Sequence, residues 1–116
     1  MTYLVTGGAG FIGSNIVEAL LDKGEKVKVI DNFSTGKKDN LSRVIDKVEL
    51  IEGDIRDSAL LKKELKGVDY ILHQAALRSV PKSLGDPASY NEVNVSGTLN
   101  LLICAKEAGV KRVVYA

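Results

Sequence analysis

The sequence is poor in the residues that build metal centres and covalent cross-links. It holds one cysteine, Cys104, and one histidine, His73. A lone thiol cannot close an internal disulfide, and the two together supply too few soft ligands for zinc. No metal site is expected. No apolar run approaches the roughly 18 residues that a membrane span needs. Met1–Thr6 lacks the basic stretch and long apolar core of a secretory signal. Charge of one sign is also missing: 16 Lys+Arg stand against 15 Asp+Glu, for a net charge of +1. That balance argues against binding nucleic acid or anionic lipid through bulk charge. No Ser-His-Asp order, no carboxylate pair, no repeat and no low-complexity segment stands out. The expectation is a cytoplasmic, reducing setting, with no nucleic-acid or membrane partner.

What is present is an ordinary globular composition. The chain has 116 residues and is 45% hydrophobic, enough for one domain with one core. Short apolar runs alternate with helical stretches. Strands are predicted at Thr2–Thr6, Lys26–Asp31, Val48–Glu52, Val68–His73 and Arg112–Ala116. A helix is predicted from Phe11 to Lys23, with Ile12, Ile16, Ala19 and Leu20 as its apolar face and Gly24 as its stop. A short helix is expected over Asn40–Asp46. Asp57 is placed to cap a helix through Leu65, stopped by Gly67. After a long loop, Gln74–Asp86, the pair Asp86-Pro87 starts a helix to about Ala108, closed by Gly109. Val93, Gly97, Leu101, Cys104 and Ala108 share a face of it. Strands alternating with helices predict an α/β fold: a Rossmann-like, doubly wound parallel sheet of five strands, in order 3-2-1-4-5.

The sharpest chemical signal is Thr6-Gly7-Gly8-Ala9-Gly10-Phe11-Ile12-Gly13, between the first strand and the first helix. Without a Cβ at the turn, backbone approaches a pyrophosphate closely, and free N–H groups at the helix start favour the anion. Gly8, Gly10 and Gly13 fit G-x-G-x-x-G. Gly7, Gly10 and Gly13 fit G-x-x-G-x-x-G. Spacing alone does not choose. Asp31 lies 18 residues after Gly13, at the end of the second strand. A carboxylate there accepts hydrogen bonds from ribose hydroxyls and repels a 2′-phosphate, which favours NAD over NADP. On its own, Asp54 reads as a turn residue, His73 as a hydrogen-bonded structural residue, and Cys104 as a small core residue. Arg78 and Lys82 flank the loop at the sheet's carboxyl end, as phosphate ligands or as solvated charges.

Together these segments resemble the extended short-chain dehydrogenase/reductase family, in its branch of NAD-dependent sugar-nucleotide epimerases and dehydratases. The resemblance covers the whole chain. It rests on the glycine segment, Asp31-Asn32-Phe33, Gly53-Asp54-Ile55-Arg56-Asp57, His73-Gln74-Ala75-Ala76 and Asn94-Val95-Ser96-Gly97-Thr98. It selects the register Gly7, Gly10, Gly13, and it is strongest toward the UDP-hexose 4-epimerases.

The resemblance implies roles. Phe11 and Ile12 offer backbone N–H groups to the pyrophosphate. Asp31 and Asn32 hold the adenosine ribose, with Ser34, Thr35 and Gly36 nearby. Asp54 and Ile55 bracket the adenine, Asp54 accepting from its amino group. Gln74, Ala75 and Ala76 line the cofactor, Arg78 contacts ribose or phosphate, and Asn94 lies near the nicotinamide ribose. Relatives of this kind oxidise the sugar at C4, turn a 4-keto intermediate and return the hydride, with a Tyr base and a nearby Lys. No Tyr-x-x-x-Lys occurs in these 116 residues. The expectation is therefore an NAD-binding domain over residues 1–116, cut within the fifth strand, with no catalytic residue of its own. It should bind NAD without turnover, with a UDP-sugar as substrate only of a full-length parent. A homodimer, or an oligomer formed by edge pairing or domain swapping, is expected. A self-standing nucleotide-binding module, an inactive scaffold, and a dehydratase or reductase parent are the alternatives.

Overall fold

The computed structural model describes residues 1–33, 37–74 and 92–115, with the side chains of residues 92–94 and 115 outside that description. Five strands form one parallel sheet: β1 (Thr2–Thr6), β2 (Lys26–Asp31), β3 (Glu49–Glu52), β4 (Tyr70–His73) and β5 (Arg112–Tyr115). Their order is β3-β2-β1-β4-β5, as the alternation of elements predicts. In the central strand, Val5 lies opposite Val29 of β2 and Leu72 of β4. β1 is central, with β2 and β3 to one side and β4 and β5 to the other.

The period of two along each strand divides the core between the sheet's faces. Leu4, Ile30 and Ile71 point to one face, where they meet Leu61, Leu65, Leu101, Cys104 and Ala105. These come from α2 (Ser58–Glu64), its C-terminal end, and α3 (Thr98–Ala108). Val5, Val27 and Val29 point to the other face, against Ala9, Val17, Leu41 and Val44. That cover comes from α1 (Phe11–Asp22) and the segment after β2. Both faces are buried toward the carboxyl ends of these strands, at Leu4 and Val5 of β1 and at Val29 and Ile30 of β2, while Lys26 and Lys28 lie at the start of β2.

Three local expectations need correction. The buried face of α1 is Gly13, Ser14 and Val17, flanked by Ile16, Leu20 and Leu21. Ile12 and Ala19 are exposed. Small residues let the start of α1 press against the glycine turn, so the closest face carries little apolar bulk. The expected helix over Asn40–Asp46 is instead two 3₁₀ turns, Lys38–Leu41 and Ile45–Lys47. Leu41 and Val44, three apart, are its buried residues, which suits that tighter spiral. On α3 the buried set is Leu101, Cys104 and Ala105, while Ala108 is exposed. The start of that helix at Pro87 lies outside the described residues. Glu92–Gly97 is π-helical and leads directly into α3.

Asp57 caps α2 as its sequence position suggests, accepting from the Leu60 N–H at 3.1 Å. Among the described residues β5 pairs with β4 alone, at one border of the sheet. Val113 packs on the core, and Val114 is half exposed beside it.

Candidate functional site

The candidate site lies at the carboxyl ends of β1, β2, β3 and β4, where the strand order reverses between β1 and β4. The glycine turn follows β1. Gly7 sits at φ +67°, a left-handed conformation that a side chain resists. Its N–H donates to the Ile30 carbonyl at 2.8 Å, and its carbonyl accepts from the Gly10 N–H at 3.1 Å. A Cβ on Gly13 would run into the Gly7 carbonyl and come within 2.9 Å of the Gly8 Cα. A Cβ on Gly8 would press into Val29 of β2. Gly10 differs: among the described residues a Cβ there meets one atom, the Gly7 oxygen, at a tight 3.3 Å. Gly7, Gly8 and Gly13 thus serve the turn's own geometry, whereas at Gly10 the constraint from the turn is milder, one tight contact with the Gly7 carbonyl.

Gly10 is the N-cap of α1. Among the described residues no side chain caps this terminus, and no acidic residue lies in its first turn. The first intrahelical bond is donated by Ser14 to the Gly10 carbonyl at 2.9 Å. The N–H groups of Phe11, Ile12 and Gly13 precede it, in the positions that an α-helix cannot satisfy internally. Phe11 is 80% exposed and Ile12 51%, so the residues themselves do not fold back over those donors.

Asp31 ends β2 and is buried. One carboxylate oxygen accepts from the Ala9 N–H at 2.9 Å, the other from the Phe33 N–H at 2.7 Å. Phe33 is the one described non-glycine residue with positive φ, at 59°. The carboxylate therefore ties the glycine turn to the chain leaving β2. Each oxygen keeps one further lone pair for a hydroxyl donor. The Ala9 carbonyl is held from the other side by Asn40 Nδ2 at 2.7 Å and the Lys37 N–H at 3.0 Å.

Asp54 follows β3. Arg56 grips it with a planar fork, Nε to Oδ1 at 3.0 Å and Nη2 to Oδ2 at 2.6 Å. The Arg56 backbone N–H adds a bond to Oδ1 at 2.9 Å, and Asn32 Nδ2 reaches Oδ2 at 3.5 Å. Hydrogen bonding from Arg56 holds the Asp54 carboxyl below its ordinary range, against an opposing push from partial burial. Ile55 is buried, and its carbonyl accepts from Asn100 Nδ2 of α3 at 2.8 Å. Asn100 Oδ1 in turn accepts from the Ser58 hydroxyl at 2.7 Å.

His73 ends β4 and is buried, as a structural residue should be. Its Nδ1 shares a hydrogen bond with the Thr6 hydroxyl at 2.6 Å, and its Nε2 shares one with the Thr98 hydroxyl at 2.9 Å. The Gln74 N–H donates to both Thr6 oxygens at 3.0 Å. The end of β4 is thereby fastened to β1 and to α3. Burial pushes the Cys104 thiol up, with Glu107 adding to it, which fits a core residue and not a nucleophile.

Of the residues singled out in the sequence, the structure brings Gly7, Gly10, Phe11, Ile12, Gly13, Asp31, Asn32, Asp54, Ile55 and Gln74 to one end of the sheet. Ser34, Thr35, Gly36, Ala75, Ala76 and Arg78 lie outside the described residues. Asn94 is described by its backbone, within the π-helical segment. Sequence reasoning missed Asn40 and Asn100, and it quoted Thr6, Arg56 and Thr98 within motifs without a role; these are polar residues that hold the loops. A faint signal existed for Asn100: an amide is a poor helix former, and it sits one position before the core residue Leu101.

A glycine turn opening onto an uncapped helix, with a carboxylate at the end of the neighbouring strand, defines a Rossmann-like domain of the doubly wound class. A profile of the NAD dependent epimerase/dehydratase family matches residues 3–116, and the chain belongs to that family. It is 39% identical over 118 residues to a UDP-glucose 4-epimerase of Lacticaseibacillus casei, covering 100% of this chain and 35% of that protein. A dTDP-glucose 4,6-dehydratase from Streptomyces venezuelae, solved with NAD bound, superposes with a TM-score of 0.93 at 44% identity, over 97% of this chain and 38% of its own. A UDP-N-acetylglucosamine 4-epimerase from Methanobrevibacter ruminantium M1 gives 0.88 at 46% identity, over 97% and 36%. The chain thus spans little more than a third of the length of these relatives.

Proposed function

We propose that residues 1–116 form the cofactor-binding domain of an NAD-dependent nucleotide-sugar 4-epimerase, and that this chain binds NAD without turning over sugar. One observation carries the reading. The uncapped start of α1, the buried Asp31 and the loop at Asp54 and Ile55 stand side by side at the carboxyl end of the sheet. Those groups suit a pyrophosphate, a ribose diol and a base in that order. Phe11 and Ile12 donate N–H groups to the pyrophosphate. Asp31 and Asn32 hold the adenosine ribose, with Ser34, Thr35 and Gly36 beside them. Asp54 accepts from the adenine amino group, and Ile55 packs beside the ring. Gln74, Ala75, Ala76, Arg78 and Asn94 serve the remaining half of the dinucleotide.

When bound, NAD supplies the hydride acceptor for oxidation of a sugar hydroxyl. The sugar, a UDP-hexose in this reading, is a substrate of a longer protein carrying the Tyr and Lys that these residues lack. The lone, buried Cys104 and the absence among the described residues of any helix long and apolar enough to cross a membrane suit a cytoplasmic role. A dimer is part of the reading too. Val95, Leu99, Leu102 and Ile103 form an exposed apolar stripe along α3 and the turn before it, between 37% and 59% accessible. That stripe fits a second copy of the same helix.

The test is a titration with NAD and NADP beside an assay of UDP-galactose conversion. NAD should bind at least about tenfold more tightly than NADP, because Asp31 repels a 2′-phosphate. No sugar should be converted. Equal affinity for both cofactors, or conversion by this chain alone, contradicts the proposal. A dehydratase parent is the second reading: the 44% identity to the Streptomyces venezuelae dehydratase stands beside the 46% to the Methanobrevibacter ruminantium epimerase.

A further inference from the structure

Asp54 is surrounded by more donors than its proposed task requires. A carboxylate offers about four acceptor positions. Two on Oδ1 are filled by Arg56, through its backbone N–H at 2.9 Å and Nε at 3.0 Å. One on Oδ2 is filled by Arg56 Nη2 at 2.6 Å. The fourth, also on Oδ2, is met by Asn32 Nδ2 at 3.5 Å, the limit of hydrogen-bond distance. The carboxylate is thus fixed in plane and direction by a two-pronged guanidinium contact, and its one weakly held position points toward the end of β2.

We propose that Arg56 is a positioning and specificity residue: by committing three acceptor positions of Asp54 it leaves one, aimed from Oδ2, for a single exocyclic amino group. The proposal rests on the reading of Asp54 as the adenine acceptor and assigns the selectivity of that subsite to its neighbour. An amino group at the base's 6-position replaces the long Asn32 contact. A 6-oxo group there brings two acceptors face to face and is rejected. A carboxylate free to rotate would discriminate less, because either oxygen could turn toward or away from the base. Arg56 side-chain accessibility is 37%, so its removal should not unfold the chain. Lysine cannot replace it, because an ammonium lacks the planar fork.

The experiment titrates the chain, Arg56→Met and Arg56→Lys with NAD and with its hypoxanthine analogue, each checked for fold by circular dichroism. The unmodified chain should prefer NAD by roughly tenfold or more. Arg56→Met and Arg56→Lys should lose about tenfold in NAD affinity and little in affinity for the analogue, so the preference collapses. If both ligands weaken equally, or the preference survives in Arg56→Lys, the proposal is overturned while the NAD reading stands. If the unmodified chain binds neither dinucleotide, the NAD reading falls with it. A second readout needs no ligand. The carbon-detected titration of the Asp54 carboxyl should shift to higher pH in Arg56→Met, and an unchanged midpoint would also overturn the proposal.

Discussion

Asp31 has two duties at the same atoms. It accepts the Ala9 and Phe33 N–H groups, which hold the glycine turn, and in the proposed function it also accepts ribose hydroxyls. Asp31→Ala leaves the Ala9 N–H without its partner in a buried position. The expected cost is about 1–3 kcal/mol of stability, read by urea unfolding without any ligand. A full-strength fold with only weakened NAD binding would mean that the turn does not depend on this carboxylate. Gly13→Ala should destabilise by roughly 1–3 kcal/mol, since the new methyl meets backbone and not a flexible side chain. A thermal scan checks it, and an unchanged midpoint would contradict the close packing described. Asp54 adds a pH dependence. Its carboxyl is held low in the fold, so its stabilising contribution is present above its unfolded value near 4. That contribution is lost as pH falls through the lower folded value. Acid unfolding of Asp54→Asn should therefore be less steep in that window. At this scale the sequence was readable where chemistry is encoded by residue type and place. The glycines and Asp31 stand out by residue type and place, and the structure puts them together after β1 and at the end of β2. The partners of those groups do not stand out in this way. Nothing in Arg56 or Asn100 says which carboxylate or carbonyl each will reach until the chain is folded.

At the scale of elements, the strands were the most legible and the face of α1 the least. Strands are short apolar runs with β-branched residues, and their burial follows from composition. The face of α1 is chosen by Gly13 and Ser14, which approach the turn closely because they are small. A search for apolar periodicity passes over them. The segment after β2 differs from its expected helix for a related reason: Leu41 and Val44 are three apart, a spacing that both helix types allow. Helix α3 does more than cover the sheet. Thr98 fastens the end of β4, and Asn100 fastens the loop after β3. Asn100→Leu keeps the volume and the helix but leaves the Ile55 carbonyl without that donor. It should cost about 1–3 kcal/mol, measured by urea titration. It should also weaken binding of adenine nucleotides more than that of nicotinamide mononucleotide. A loss shared equally by both would assign Asn100 to the core alone. Cys104, 3% exposed, should resist thiol reagents in the folded chain and react once urea opens it.

The whole molecule is a sheet with its two faces covered and its functional groups gathered at one end. That architecture was legible because the alternation of strand and helix, with right-handed crossovers, leaves few topologies. What the whole molecule does with other copies was less so, since exposure is a property of the fold. The apolar stripe of Val95, Leu99, Leu102 and Ile103 predicts self-association. Leu99→Glu should shift the chain toward monomer in light scattering without loss of circular dichroism signal. An unmodified chain that stays monomeric at high concentration would contradict this. The proposed role of the whole molecule requires a dinucleotide to sit on the glycine turn. Gly10 is the position to probe: among the described residues a Cβ there meets one backbone atom, the Gly7 oxygen at 3.3 Å, a milder contact than those at Gly8 and Gly13. Calorimetric titration with NAD, run on the chain and on Gly10→Val with the fold of each verified, is the most direct measurement. Saturable binding to the chain and its loss in a folded Gly10→Val is the predicted result. No binding to the folded chain, or equal binding to both, would contradict it.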